Sequence, residues 1–399
     1  MSLCDVSEPL AVSNFREYLR IPSVHPNVNY DGCVEFLRKL AEGLKLPFKV
    51  FELVPKKPIV IISWIGTSPE LPSIMLNSHM DVVPVFEEKW IHHPFAAVKD
   101  KDGNIYGRGA QDMKCLGIQY IETVRKFIQN GVKLKRSLHM TFVPDEEIGG
   151  SEGMAVFVHS KEFKTLNIGF ALDEGSAYPF EEFVVYYSER SIWQFDVKCP
   201  GQTGHGSLLH DNSAGEKVLK TLQKFLDFRE KEKEKLKMDP RFGPGAVTSL
   251  NLTIMKGGVQ TNVVPPLFTL SFDCRVAIDV DHSDFEKQLN GMAEECEASL
   301  VFHMKEKPGK VTSIDPEVNP WWKVFKAECD KMHMKLITWV LPGSTDIRYI
   351  RDVGIPAFGF SPMNRTHILL HDHNEYLNEG IFLKGIKIYY NLLSALANL

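Results

Sequence analysis

The stretch TFVPDEEIGG (141–150) sets Asp145, Glu146 and Glu147 directly after an apolar run. Adjacent carboxylates repel, and burying one without a partner is costly, so such a triplet either faces water or lines a cation site. Four other stretches supply matching groups. SIMLNSHMDVVP (73–84) ends on His79-x-Asp81. In a strand those two share a face, and an Asp beside a metal-binding His is the usual orienting partner. YGRGAQDMKC (106–115) holds Asp112 in a Gly-rich loop before a helix, FALDEGS (170–176) supplies Asp173 and Glu174, and ILLHDHNEYL (368–377) supplies His371 and His373. Each has a plainer reading alone. Asp112 could be a helix N-cap, His79 a satisfied core histidine, and the two late histidines surface loop residues. Together, two histidines and three carboxylates suit two zinc ions sharing one bridging carboxylate. A rival signal, GGSEG (149–153), fits G-x-S-x-G. A nucleophile elbow needs its Ser at the strand-to-helix turn itself, and the three acids already occupy that turn.

The elements that must hold these groups follow from periodicity. NFREYLRI (14–21), DGCVEFLRKLAEGL (31–44) and MKCLGIQYIETVRKFIQNG (113–131) space their apolar residues as amphipathic helices do. PIVIISWIG (58–66), SIMLNSHM (73–80), SLHMTFVP (137–144) and IGFALDEG (168–175) read as buried strands. That alternation predicts an α/β domain with a mostly parallel sheet covered by helices on both faces. Functional groups in such sheets gather beyond the carboxyl ends of strands, where the clusters above fall. From about residue 184 the rhythm changes. One long strand FVVYYSERSIWQFDVKC (183–199), a helix over 214–236, strands over 247–255 and 267–278, a helix over 284–298 and a strand over 300–307 make a β-α-β-β-α-β unit. The charged run REKEKEKLK (229–237) reads as the solvated end of its helix. The α/β rhythm then returns through PWWKVFKAEC, KLITWVL, IPAFGF and a last helix over 379–397. We therefore expect an α+β domain at 187–309 inserted into one formed by 1–186 and 310–399.

Bulk properties fit a soluble globular chain. Of 399 residues, 44% are apolar and 24% charged, with a net charge of −5. That balance gives no reason to expect nucleic acid or an anionic membrane as partner. No apolar run suffices to cross a bilayer, MSLCDVSEPLAV lacks signal-peptide features, and seven scattered cysteines suggest neither a disulfide framework nor a thiolate zinc site. A cytoplasmic location is expected.

NSHMDVVPV, YGRGAQDMKC, TFVPDEEIGG, FALDEG, GGVQTNVVP, STDIRYIR and GFSPMNRT…LLHDHNE occur in this order. With them the chain resembles the M20 family of co-catalytic zinc hydrolases from end to end. The resemblance implies two zinc ions per subunit bridged by Asp112, with His79 and Glu174 completing one site and Glu147 and His371 the other. His371 rather than His373 is implied because Glu375 stands four residues after it. Glu146 would be the general base, Asp81 the partner of His79, and Asp145 a structural acid capping the next turn. The inserted domain would serve as lid and homodimer contact. It would present His205 (TGHGS) and Asn262 (TNVVP) to the oxyanion in the partner subunit's site, while Arg275 and Arg348 would meet a substrate carboxylate. The activity implied is hydrolysis of small N-acyl-L-amino acids to a carboxylate and a free L-amino acid. A carboxypeptidase or dipeptidase with the same metals is the alternative, and Glu174, where aminopeptidase-like members tend to carry Asp, favours deacylase or carboxypeptidase. The intact set of ligands and base speaks against a non-catalytic binding module. TGHGS, LPGS and HDHNE depart from the family pattern without removing a ligand or the base, which leaves side-chain preference open.

Overall fold

In the computed structural model, residues 8–238 and 243–399 are described. The chain forms two units. One comprises the residues through Tyr187 with Thr312–Thr338 and Thr345–Leu399, and the other Ser188–Val311 with Trp339–Ser344.

The first unit is built on an eight-stranded sheet. In spatial order its strands are Phe48–Val54, Lys57–Trp64, Leu138–Val143, Ser73–His79, Ile168–Asp173, Ala357–Phe360, Phe183–Glu189 and Leu336–Leu341. The four in the middle run parallel. Antiparallel pairs flank them: Phe48–Val54 on Lys57–Trp64, Lys57–Trp64 on Leu138–Val143, and Ala357–Phe360 on Phe183–Glu189. A two-residue connection forces the first of these pairs, because parallel strands need a long crossover. The middle strands are buried along their length, and alternate side chains feed two cores. Val60, Ile62, Ile74 and Leu76 join the helices Leu10–Leu19, Asp31–Leu44, Lys114–Gln129, Pro320–Lys331 and Glu379–Leu396. Ile59, Ile61 and Met75 join Met154, Phe157, Phe163, Ile347 and Ile350. Both faces are thus covered, which explains the near-continuous apolar runs.

Local signals set the helix ends. Asn319 accepts from the N–H groups of Trp321 and Trp322 ahead of Pro320–Lys331, with Pro320 in the first turn. Gly117 lets the Lys114–Gln129 helix lie directly on the sheet. A Cβ there would stand 2.7 Å from the Phe142 ring and 3.0 Å from Ser78 Oγ.

The single strand expected over 183–199 is two strands. Phe183–Glu189 is buried on both faces and belongs to the eight-stranded sheet, whereas Ser191–Pro200 alternates buried and open positions and belongs to a four-stranded one. Arg190 marks the break, its guanidinium donating to the carbonyls of Val247 and Pro342. The second unit is the antiparallel sheet ordered Ser249–Gly257, Leu267–Val276, Ser191–Pro200, Ser299–Lys305. Helices Ala214–Met238 and His282–Glu294 cover it around Trp193, Phe195, Phe225, Phe272 and Phe285. The charged run at 229–237 is mostly solvated as expected, with one exception: Glu232 is buried and accepts from the Thr248 N–H at 2.9 Å. No helix among the described residues is long and apolar enough to cross a membrane.

His139, on the strand that leads to the acid triplet, sits 2.9 Å from Ser63 Oγ. Burial pushes its pKa from 6.5 down to about 4. The unfolded chain therefore binds a proton here that the folded chain refuses. Stability from this residue is complete above pH 6.5 and falls as pH drops towards 4. Lowering pH from 7.5 to 5 should cost about 2 kcal/mol through His139. Denaturant unfolding of a His139→Gln variant should show a correspondingly shallower loss across that interval.

Candidate metal centre

Six of the sequence-derived candidates come together in the first unit, each delivered by the end of a strand or by a neighbouring loop. His79 closes the strand Ser73–His79, and Glu174 follows Ile168–Asp173. Glu146 and Glu147 form a single helical turn just past Leu138–Val143. Asp112 lies in the loop before Lys114–Gln129, and His371 in the loop before Tyr376–Asn378.

Asp112 is the hinge of the arrangement. Its Oδ1 is 2.9 Å from His79 Nε2, and its Oδ2 is 3.2 Å from His371 Nε2. His79 Nε2 also stands 3.7 Å from Glu174 Oε1, and His371 Nε2 stands 3.0 Å from Glu147 Oε2. Two triads result, His79–Asp112–Glu174 and Asp112–Glu147–His371, each with donor atoms within 4.8 Å of one another. His79 Nδ1 lies 2.8 Å from the Asp81 carbonyl. A carbonyl can only accept, so Nδ1 carries a proton and donates to it, which leaves Nε2 as the nitrogen directed at Asp112 and Glu174. Glu147 Oε1 is buried without a hydrogen-bond partner, an orphan of the kind a cation would satisfy. Imidazole and carboxylate donors in tight triads with one shared carboxylate fit two divalent ions of the zinc type.

The charges confirm how crowded the pocket is. Burial, then the neighbouring Glu174, raises the Glu146 carboxyl well above the usual carboxylate range, and burial and Asp112 do the same for Glu174. Burial disfavours the charged form of Asp112, yet hydrogen bonds from His371 and His79 hold its carboxyl far below that range. Asp112 and Glu147 push His371 up to about 10. Glu146 Oε2 is 4.0 Å from His79 Nε2, beside the triads rather than within them.

Some roles differ from expectation. The Asp81 carboxylate is 3.7 Å from His79 Nδ1, so it is the backbone carbonyl of Asp81 that holds the ring. That carboxylate instead accepts from the N–H groups of Glu146 and Glu147, at 3.3 and 3.0 Å, and contacts His25 Nε2 at 2.8 Å. Asp81 thereby fixes the turn that presents the acids. The Asp145 side chain makes no capping bond. It pairs with Lys57 and accepts from Tyr30 Oη at 2.6 Å, because its left-handed backbone (φ +63°) turns the side chain away from the amides it was expected to cap. Ser151, the alternative nucleophile, is exposed in a turn beyond the acids. His373 belongs to neither triad and packs edge-on against Phe86.

Arg348 reaches the acid turn, donating to the Gly149 carbonyl at 2.8 Å and stacking on Tyr349. In the second unit His205 and Asn262 are neighbours on a two-stranded ribbon, where the Gly206 N–H donates to the Asn262 carbonyl at 2.8 Å. Both are exposed. Arg275 is half-buried and bound through both Nε and Nη2 to Asp273. The periodic reading missed His25 and Tyr30, since IPSVHPNVNY has no strand-end pattern, and it passed over the buried Asp346 in STDIRYIR.

The model of peptidase family M20/M25/M40 matches residues 75–395. Aminoacylase-1 of Mus musculus is 51% identical over 394 residues, covering 98% of this chain and 96% of that protein. Among solved structures, a M20 family metallo-carboxypeptidase from Sulfolobus solfataricus superposes with a TM-score of 0.75 at 16% identity, covering 98% of this chain and 100% of that one. A dinuclear metal binding peptidase of the same family from Bacillus subtilis gives 0.66 at 16% identity, over 96% and 97% of the two chains. At such identities the superpositions speak for the fold, and the match to the mouse protein speaks for kinship along the whole length. The chain is therefore a member of the M20/M25/M40 peptidase family.

Proposed function

We propose that this chain hydrolyses N-acyl-L-amino acids to a carboxylate and a free L-amino acid. The observation that carries the reading is Glu146 standing beside two triads that share Asp112, in a chain half identical to Aminoacylase-1 over nearly its full length. Two zinc ions held by these triads would polarise the scissile carbonyl and bring the pKa of water towards neutrality. The chain's own residues do the rest. Glu146 takes a proton from the attacking water as its oxygen bonds to the acyl carbon. It then returns that proton to the amine nitrogen as the C–N bond breaks. Asp81 keeps Glu146 and Glu147 in register through their backbone N–H groups. Arg348 and Arg275 are the residues proposed to receive the substrate carboxylate, in the bidentate manner a guanidinium allows. Since Arg275 is paired with Asp273, it would have to exchange that partner for substrate.

His205 and Asn262 adjoin on one exposed ribbon and are proposed to act across a homodimer, donating to the oxyanion in the partner subunit's site. The dimer would form through the second unit. Its Ser249–Gly257 strand lies at a sheet edge and exposes Ile254 and Met255, an unpartnered apolar strand that a second copy would cover. The six cysteines among the described residues are buried free thiols, which supports a reducing, cytoplasmic setting.

Two outcomes are expected. Glu146→Gln should lower turnover of N-acetyl-L-methionine by at least about 10²-fold while metal analysis still finds about two zinc ions per chain. Near-normal turnover in that variant would remove Glu146 from the mechanism. A methionine dipeptide with a free amino group should be a poor substrate for the native enzyme, and comparable rates would move the assignment to a peptidase. For the assembly, Met255→Lys should shift the sedimenting species from dimer towards monomer, whereas an unchanged dimer would place the interface elsewhere.

A further inference from the structure

We propose that Glu375 is a positioning residue whose carboxylate sets the affinity of the more exposed metal position, the one bounded by Asp112, Glu147 and His371. The proposal rests on the two-metal reading above. It concerns a residue that touches neither substrate nor metal.

The two positions are built differently. His79 ends a buried strand, and its ring is tied through Nδ1 to the Asp81 carbonyl. His371 has an exposed side chain, belongs to no helix or strand, and takes a left-handed backbone at φ +61°. Strand geometry therefore orders the first histidine but not the second. Asp112, common to both positions, also sits in a loop. Something other than the sheet must hold that loop against the segment that carries His371.

The contacts of Glu375 do this. Its side chain is fully buried and accepts four hydrogen bonds: from Arg108 Nη1 at 2.8 Å and from the backbone N–H groups of Gly109, Gln111 and Asp112 at 3.1, 2.6 and 3.2 Å. Its own carbonyl accepts from the Gly107 N–H at 3.0 Å. The whole 107–112 loop is thus wrapped around one residue that lies four positions after His371. Gly109 at φ +89° makes the wrap possible, since a Cβ there would stand 3.1 Å from Val82 and 3.2 Å from Lys114. Gln111 fastens the same two segments from the other side. Its Nε2 donates to the carbonyls of His367 and Tyr376, both at 2.9 Å, and its Oε1 accepts from the Leu369 N–H at 3.0 Å.

One carboxylate thus fixes the distance between the bridging Asp112 and His371, more than 250 residues apart in sequence. Without it, three amide N–H groups and a buried guanidinium lose their acceptor. The loop must then rearrange to satisfy them. Asp112 and His371 would move apart: the Asp112–Glu147–His371 position would lose its hold on two ligands, whereas the His79–Asp112–Glu174 position keeps His79 at a strand end and Glu174 just past one. Groups that orient metal ligands commonly affect affinity by about 10–100-fold.

The test is zinc titration of the full chain against a chromophoric chelator, for wild type, Glu375→Gln and Arg108→Gln/Glu375→Gln. Gln offers one acceptor oxygen in place of two, so neither variant can serve all three amides. The double variant also removes the buried charge pair together, which keeps the fold accessible if the single variant is unstable. Wild type should bind two ions tightly. Each folded variant should weaken one ion by at least about tenfold more than the other, a split that general destabilisation would not produce. Two ions held at wild-type affinity, or both weakened alike, would overturn the assignment. A wild-type chain that binds fewer than two ions would instead bring down the two-metal reading, and the clamp with it.

Discussion

The structure turns on a charge problem. Asp112, Glu146, Glu147 and Glu174 crowd into one pocket with, among the described residues, the imidazoles of His79 and His371 to answer them, and the two oxygens of Asp112 already face different histidines. Such a cluster is unfavourable in any low-dielectric setting unless cations enter it. The rest of the molecule can be understood as the scaffold that makes this concentration of acids tolerable and reproducible. The parallel middle of the sheet sends successive strands out at the same edge, so His79, the acid turn and Glu174 arrive side by side. Asp81 then converts proximity into register by holding the amides of Glu146 and Glu147.

Around that edge lies a division of labour. Groups on strand ends inherit their positions from the sheet, whose two cores lock it from both faces. Groups on loops depend on buried polar contacts instead, and in such networks the loss of a single acceptor is felt at several donors. Among the described residues the second unit contributes no triad residue, and its His205 and Asn262 meet on a two-stranded ribbon.

Much of this was legible in the sequence, and the limits have physical causes. Continuous apolar runs ending in His or carboxylate identified the buried strands and the edge where they stop. The break at Arg190 was less visible, because two strands of different sheets adjoin without a turn residue. In hindsight the change from the solid apolar run FVVYY to the alternating SIWQFDV marks it. The side-chain partners of Asp81 and Asp145 could not be read. Spacing along one strand says which residues share a face, but His25, Tyr30 and Lys57 approach from other segments of the chain. For the same reason Glu375 could be noted as a spacing mark after His371 and not as the acceptor of three loop amides.

The most direct test of the account is hydrolysis of N-acetyl-L-methionine by the chelator-stripped protein as zinc is returned stepwise. Two ions sharing Asp112 predict that activity is lost on chelation and recovers fully only as the second equivalent binds. Turnover that survives chelation, or a chain loaded with two zinc ions that leaves the substrate intact, would contradict it.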